Sequence, residues 1–193
     1  ATCTSCHGSH GVLSRKDPDS PTFKKKIPET CGRCHSDPEL MRPYGIPTDQ
    51  VLQYREGIHG RILFGELPGK DSTLVPTCVD CHGGHGAAPP ALQPVPAVCG
   101  AWHSYEQQYF KKGPHYESVR RIGTPRCIDC HGNHRNTIPG GKLLVDGKKE
   151  SCGSCHREGE EGYRVALELK GVLEQADRVL ADFRKSGAGQ PAV

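Results

Sequence analysis

Hydrophobic positions are sparse along most of the chain and form a regular stripe only near its C-terminal end. From about residue 157 to residue 184, apolar residues recur at intervals of three and four, the period of one face of an α-helix. The pattern predicts one amphipathic helix that ends at Gly187 and Gly189. This face fits either packing against the protein's own core or contact with a partner. The stripe consists of Leu169, Val172, Leu173, Ala176, Val179, Leu180 and Phe183.

Two shorter helices are indicated upstream, by the segments "TDQVLQYREG" and "SYEQQYFKKG". Each segment ends at a glycine, Gly57 or Gly113, as helices commonly do. The remaining sequence contains many of the 24 glycines and 16 prolines, which favour turns. We therefore expect a mostly α protein with extensive loops, a domain over residues 1–156, and a C-terminal helix and tail over residues 157–193.

The composition does not suit an ordinary hydrophobic core. Only 34% of the 193 residues are hydrophobic and 6% are aromatic, too few to offset the entropy of folding easily. Disulfides, metals or cofactors fill this role in other small domains. No apolar run of about 18 residues occurs, so we expect no transmembrane segment. The chain starts at Ala1 directly on a cysteine motif, which leads us to expect a processed or truncated N terminus.

The cysteines show what takes the place of a core. Ten of the eleven fall in five C-x-x-C pairs, and a histidine follows every pair directly. The pairs are Cys3 and Cys6, Cys31 and Cys34, Cys78 and Cys81, Cys127 and Cys130, and Cys152 and Cys155, followed by His7, His35, His82, His131 and His156.

C-x-x-C-H is the attachment signature of c-type haem. The two thiols add to the two vinyl groups at one edge of the haem, and the next residue is carried under the ring, where its imidazole binds iron. Zinc sites also use C-x-x-C pairs, and disulfide scaffolds use even numbers of cysteines. Neither requires a histidine after every pair, so the sequence predicts five haem c groups.

An internal repeat adds a sixth candidate site. One unit runs from Thr30 to Gly86 and the next from Val98 to His134, and in this register "CGAWH" stands where "CGRCH" and "CGSCH" stand. Cys99 and His103 match the first cysteine and the histidine, while Trp102 replaces the second cysteine. We predict a haem held by a single thioether from Cys99. The alternative is a free cysteine near an unrelated histidine.

Five histidines remain, and we predict that they are distal iron ligands. His10, His85 and His134 each lie three residues after a proximal histidine. Three residues span at most about 10 Å, which is too short to reach the opposite face of the same haem. Each is therefore expected to bind the iron of a neighbouring haem. His59 and His115 occupy matching places in the two full repeats and are expected to be distal ligands as well.

The ligand count is uneven. Six irons with two histidines each need twelve, and the chain has eleven. One iron therefore lacks a ligand or takes one from another subunit or from upstream sequence. Met41 is the only methionine and can serve at most one iron, so mainly bis-histidine haems of low potential are expected.

The units "CHGSH", "CHGGH" and "CHGNH", with "GIHG" and "GPHY" between them, resemble those of multihaem c-type cytochromes. That group includes the tetrahaem and octahaem cytochromes related to hydroxylamine oxidoreductase and tetrathionate reductase. The resemblance covers Thr2 to His156. It implies an exported protein, periplasmic or extracellular, because c-type haem is attached outside the cytoplasmic membrane. Members of the group act as soluble carriers, as subunits of membrane complexes or as filaments.

Two functions are compatible with these features. Electron transfer between redox partner proteins, alone or as part of an oligomer, filament or membrane complex, needs only closely spaced haems. A multihaem reductase or oxidase of a small nitrogen or sulfur oxyanion would need one open iron position, for which the ligand shortage leaves room. No CxxCK variant is present, and we favour the carrier. Two ionised propionates on each haem offset the formal charge of +3, so nucleic-acid binding is not expected.

Overall fold

The computed structural model describes residues 1–86, 95–137, 140, 144 and 152–186, and this part of the chain is mostly helical, with 60% helix. It contains no strand among those residues, so the predicted class of helices and loops is confirmed. The chain forms two compact units. The first comprises residues 1–128 and 132–137, and the second comprises residues 129–131 and 138–193. The domain boundary after residue 156 stays a prediction.

Short helices joined by loops make up the first unit. Their bounds are α1 Cys3–His7, α2 Ile27–His35, α3 Pro38–Met41, α4 Gln50–Glu56, α5 Ile58–Leu63, α6 Cys78–His82, α7 Val95–Trp102, α8 Ser104–Lys112 and α9 Pro114–Ile122. Single 3₁₀ turns occur at Lys24–Lys26, Arg42–Tyr44 and Ser72–Leu74. Helix α10, Cys127–His131, follows, and α11, Glu161–Lys185, lies in the second unit.

Helices α4 and α8 confirm the two short helices predicted upstream. Helix α4 ends at Gly57, whose backbone N–H donates to the carbonyls of Gln53 at 2.9 Å and Tyr54 at 3.1 Å. Helix α8 ends in the same way at Gly113, whose N–H donates to the carbonyl of Phe110 at 3.1 Å. Both glycines carry the chain directly into the next helix, where a histidine of the repeat, at position 59 or 115, is the second residue. Each glycine therefore determines where the next helix starts, and with it the position of the histidine in that helix.

The apolar core of the first unit is small, as the composition predicts. Its most deeply buried large side chain is Leu63, which has no exposed surface. The buried hydrophobic residues of this unit, within the part of the chain described, are Ile27, Met41, Tyr54, Leu63 and Val75. Met41 is thus one of the few side chains that make up the core.

Helix α11 confirms the predicted C-terminal helix, although it begins at Glu161 rather than near Arg157. The four residues before it form a turn in which Glu160 Oε2 accepts from the Arg157 backbone N–H at 2.9 Å, and Gly159 has a φ of +90°. Six residues of the apolar stripe are between 39% and 64% exposed, so the packing of this stripe against the protein's own core or against a partner stays a prediction. The two glycines predicted to end the helix, Gly187 and Gly189, lie outside the described residues. No helix in the described residues is long and apolar enough to span a bilayer.

Replacing Tyr54 by phenylalanine tests the small core. Tyr54 is buried, burial raises the pKa of its phenol, and its hydroxyl donates to the carbonyl of Pro76 at 2.9 Å. Tyr54→Phe leaves that acceptor without its donor, which costs about 1–3 kcal/mol of unfolding free energy. Urea unfolding of the holoprotein, followed by circular dichroism, measures the loss.

The matched control is Tyr44→Phe, because Tyr44 is 72% exposed. Its effect on the free energy of unfolding should stay within about 0.5 kcal/mol. Equal destabilisation by the two substitutions would contradict the role of the Tyr54 hydrogen bond.

Candidate haem-binding sites

In α1 and α6, the attachment motif forms a short helix that is capped by a residue of the motif together with the threonine before it. In α1, the backbone N–H of Thr2 donates to Ser5 Oγ at 3.1 Å. In α6, Asp80 Oδ2 accepts from the backbone N–H of Thr77 at 2.7 Å and from its hydroxyl at 2.8 Å. Such caps satisfy polar groups that the first turn of a helix leaves open. Local sequence alone therefore shapes each of these motifs as one helical turn from the first cysteine to the histidine.

The second cysteines of the pairs are placed less uniformly than the motif suggests. Cys6, Cys34 and Cys130 are half-buried on helices α1, α2 and α10. Cys155 is exposed and lies in a turn rather than a helix, with its Sγ 3.8 Å from Ser154 Oγ. The structure describes all eleven cysteines and joins none of them in a disulfide. The thioether bonds predicted for Cys6, Cys34, Cys130 and Cys155, and for the other seven cysteines, stay predictions.

A glycine after the proximal histidine ends each CxxCHGxH helix. Gly8, Gly83 and Gly132 have φ values of +78°, +82° and +74°. Gly8 and Gly83 combine these with ψ values of 172° and 155°, a region essentially confined to glycine. The chain leaves the helix at this point. The side chain of the histidine two residues later can therefore point in a different direction from that of the proximal histidine. This explains the glycine in "CHGSH" and "CHGGH".

Two thiol–thiol hydrogen bonds join attachment cysteines of different motifs. Cys31 of "CGRCH" pairs with Cys78 of "CVDCH", and Cys99 of "CGAWH" pairs with Cys127 of "CIDCH". In both pairs, the first cysteine of a CG-type motif meets the first cysteine of the motif that follows it. The two repeats therefore make the same thiol contact at matching positions, and Cys99 takes the place of Cys31.

These hydrogen bonds also set the protonation of the thiols. The bond from Cys78 lowers the pKa of Cys31 to about 7, with Arg33 acting in the same direction and burial opposing both. The same bond, followed by burial, raises the pKa of Cys78. The bond to Cys127 is likewise the first cause of the raised pKa of Cys99. For the second cysteine of "CVDCH", Cys81, burial is the main cause of a raised pKa.

The "CGAWH" segment has the backbone of an attachment motif. The His103 backbone N–H donates to the Cys99 carbonyl at 2.8 Å, which matches the 2.8 Å bond from the histidine to the first cysteine in "CGSCH". Trp102 is 43% exposed, and the Lys24 ammonium lies 6.0 Å from the centre of its ring while also donating to the carbonyl of Thr73. The indole thus stands at the place of the missing cysteine, with the Lys24 ammonium at the outer limit of cation–π distance.

Three pairs of histidine rings face each other within the first unit. Each pair joins a proximal histidine to a distal candidate from a different motif or repeat. The structure therefore brings together six of the eleven predicted iron ligands. The ring centres lie 6.1 Å apart for His7 and His85, 6.1 Å for His59 and His103, and 6.0 Å for His82 and His134, with interplanar angles of 31°, 25° and 9°.

This spacing fits two imidazoles on opposite sides of one iron. A metal–nitrogen bond of about 2 Å and roughly 1.1 Å from that nitrogen to the ring centre place two such centres about 6.2 Å apart. Burial lowers the pKa of His59, and His103 adds to this effect. Burial also lowers the pKa of His134, followed by the influence of His82. Both shifts favour the neutral imidazole, the form that binds iron.

The other histidines are placed differently. His10 and His35 have no ring partner among the described residues of the first unit. His115 is the second residue of α9. His131 and His156 belong to the second unit, where the Nδ1 of His156 lies 3.9 Å from Glu160 Oε2 and burial raises the pKa of Cys152. The roles of these five histidines as ligands stay predictions, as do those of the six histidines in the ring pairs.

The thiols and imidazoles fit haem c. In α1, α2, α6 and α10, both cysteines of a pair lie on one helical turn with the histidine that follows. The imidazoles of His7, His82 and His103 each face a second imidazole. A bare zinc ion would instead need several ligands around one point. Within the described ranges, no group of three or more histidine, cysteine, aspartate or glutamate side chains is gathered in that way.

Sequence reasoning missed Asn136. Its side chain hydrogen-bonds to His59, and its Nδ2 also donates to the carbonyl of Gly132 at 2.8 Å. The residue lies in the segment after the fourth attachment pair and no motif includes it. No sequence signal identifies it, because its contact depends on two distant segments meeting.

A family model described as the doubled CXXCH motif matches residues 1–40 and 121–161. Those segments contain "CTSCH" and "CGRCH", and "CIDCH" and "CGSCH". No curated protein and no solved structure matches the chain. The doubled motifs indicate covalently bound haem c and support a multihaem c-type cytochrome in electron transfer.

Adjacent glycines allow a test of the turn between His82 and His85. An added Cβ at either Gly83 or Gly84 would meet no atom within 4 Å, but only Gly83 has a positive φ. Gly83→Ala should lower the free energy of unfolding of the holoprotein by about 1–3 kcal/mol through backbone strain. Gly84→Ala, measured in the same urea titration, should change it by less than about 0.5 kcal/mol. Similar losses for the two variants would show that the conformation of Gly83 is not needed.

Proposed function

We propose that this protein carries electrons through closely spaced, covalently bound haems with two histidine ligands each. The observation that carries the proposal is the crossed pairing of histidine rings. His85 lies opposite His7 although it follows His82 by three residues, and His134 in turn lies opposite His82. Ligands of two different irons are thus joined by one short stretch of chain, which holds the two irons close to each other.

The pairing supports a carrier rather than a catalyst at these positions. An iron held between two such imidazoles would have no position left for a substrate. When bound, haem c supplies a one-electron couple, Fe(III)/Fe(II). The side chains fix the ligands, the spacing and the polarity around it. Histidine on both sides favours a low reduction potential, and Met41, which packs in the core, does not argue for a methionine-ligated haem.

The thiol contacts extend this arrangement to other motifs. Because Cys31 meets Cys78, the attachment edges of two haems would lie side by side. The same holds for Cys99 and Cys127. Each of these four attachment motifs therefore lies next to another one. Electron transfer along a chain of haems requires such close neighbours. An oxyanion reductase would need an open, substrate-accessible iron, and the shortage of one histidine ligand leaves room for one without indicating where it lies.

The number of haems in the proposal is six. Five are attached through two cysteines, and the sixth through Cys99 alone, with His103 and His59 as its ligands. Three features support the sixth: the thiol contact of Cys99, the motif-like hydrogen bond between His103 and Cys99, and the ring of His59 at 6.1 Å from that of His103. Twelve axial positions and eleven histidines leave one position to be filled from elsewhere.

The setting of the protein is part of the proposal. Haem c is attached outside the cytoplasmic membrane, so we infer export to the periplasm or the cell exterior. There the chain would exchange electrons with redox partner proteins, as a single molecule, a homo-oligomer or filament, or a subunit of a membrane complex. A relationship to the cytochromes of the hydroxylamine oxidoreductase and tetrathionate reductase group remains an inference from the motifs.

Intact mass of the purified holoprotein tests the sixth site. The wild type should carry six haems of about 616 Da each. Cys99→Ala should carry five, because that site has no other thiol. Trp102→Cys should keep six and convert one single-thioether haem into a two-thioether haem, which moves one component of the pyridine haemochrome spectrum to the position of the others. Five haems in the wild type would refute the site.

Removing a distal ligand tests the axial pairing. In the oxidised protein, His59→Ala should produce one more high-spin iron than the wild type has, visible by electron paramagnetic resonance, and that iron should bind cyanide. Ile58→Ala, which changes the preceding residue of the same helix, should add none. If His59→Ala left the spin states unchanged, His59 would not be a ligand. A wild-type high-spin iron that binds nitrite would instead support the reductase.

A further inference from the structure

Two distant segments of the first unit meet beside the distal histidines. We call this contact the distal clamp; it consists of residues 56–59, which end α4 and begin α5, and residues 132–136, which follow α10. Each segment contains one distal histidine, His59 in the first and His134 in the second. The clamp therefore joins the ligands of two different iron sites.

Backbone and charge contacts hold the clamp. The Ile58 backbone N–H donates to the Asn136 carbonyl at 2.9 Å, and the Arg135 guanidinium forms an ion pair with the Glu56 carboxylate. Gly57 lies against the second segment, where an added Cβ would come within 2.9 Å of a carbonyl oxygen. Since that oxygen belongs to the backbone, a side chain at position 57 would force the segments apart.

The side chain of Asn136 completes the clamp at His59. Its Nδ2 donates to the Gly132 carbonyl at 2.8 Å, which fixes the amide with Oδ1 as the atom left to accept a hydrogen bond, and the side chain of His59 is its hydrogen-bond partner. An imidazole that donates one N–H to this oxygen would have its other nitrogen free of a proton and available to a metal.

We propose that Asn136 is a positioning residue that orients His59 as the distal ligand of the iron opposite His103 and lowers the reduction potential of that haem. The inference rests on the proposed function, because it requires His59 and His103 to be ligands. A hydrogen bond accepted from the N–H of a metal-bound imidazole fixes the ring and raises the basicity of its other nitrogen. A more basic ligand stabilises the ferric state relative to the ferrous state, and this lowers the potential.

The site has a particular need for such support. A haem attached through Cys99 alone has one covalent anchor where the others have two. The orientation of its axial ligands then depends more on contacts made by the ligands themselves. His134, the distal partner of His82, lies two residues before Asn136, so one segment positions the distal ligands of two irons.

Two substitutions at position 136 separate a redox role from a purely structural one. Asn136→Leu removes the acceptor, and we expect the midpoint potential of one haem to rise in a spectroelectrochemical titration of the holoprotein. Asn136→Asp supplies a stronger acceptor, and we expect the potential of the same haem to fall. One low-spin signal in the electron paramagnetic resonance spectrum should shift in each variant, while the haem count stays at that of the wild type. Gln108→Leu removes an exposed side-chain amide on α8 and should shift nothing.

Different results would refute the role of Asn136 and the pairing of His59 with His103 on which it rests. If His59→Ala creates a new high-spin iron but both Asn136 variants leave every potential unchanged, the role of Asn136 is refuted. The same holds if both variants shift potentials in one direction, or shift several haems together, because that is the result of a general disturbance of the fold. If His59→Ala changes no iron, the axial pair itself is refuted and the inference falls with it.

Discussion

The rest of this structure depends on the meeting of remote segments at pairs of imidazole rings. In each pair the two ring centres lie about 6 Å apart, and the rings come from different parts of the chain. A chain with so few buried aliphatic side chains cannot hold distant loops together by hydrophobic burial alone. Each ring pair marks a place where two remote segments must meet. An iron bound between two such rings, with its haem attached through thioethers, would turn that meeting point into a cross-link, and binding free energy would become folding free energy.

The local features of the sequence serve these crossings. Capped single-turn helices present a cysteine pair and a histidine from one rigid element, as in α1 and α6. A glycine with positive φ then ends the helix, so the next histidine can turn away from the proximal one. Helices α4 and α8 end at glycines that place His59 and His115 at equivalent positions in the two repeats. Each device is short, and each acts within about five residues.

The degenerate motif "CGAWH" illustrates how sequence register and structure support each other. Register alone matched Cys99 to Cys31, but a coincidence of letters would also account for so short a segment. The thiol contact of Cys99 with Cys127 repeats that of Cys31 with Cys78, and the hydrogen bond from His103 to Cys99 repeats that of a complete motif. The indole that replaces the second cysteine has a contact of its own. The Lys24 ammonium, from a distant part of the chain, lies 6.0 Å from the centre of its ring.

The sequence by itself determined the attachment motifs, the helical class, the two short helices and the helix near the C terminus, because caps, terminal glycines and apolar periodicity act over a few residues. It also indicated that His85 and His134 could not serve the haem beside them, since three residues are too few to pass around it. Only the tertiary structure decided which rings face each other, that His59 belongs with His103, and that Asn136 holds His59. These are contacts between segments remote in sequence, and no local pattern encodes the partner of a side chain whose position depends on how the intervening chain folds.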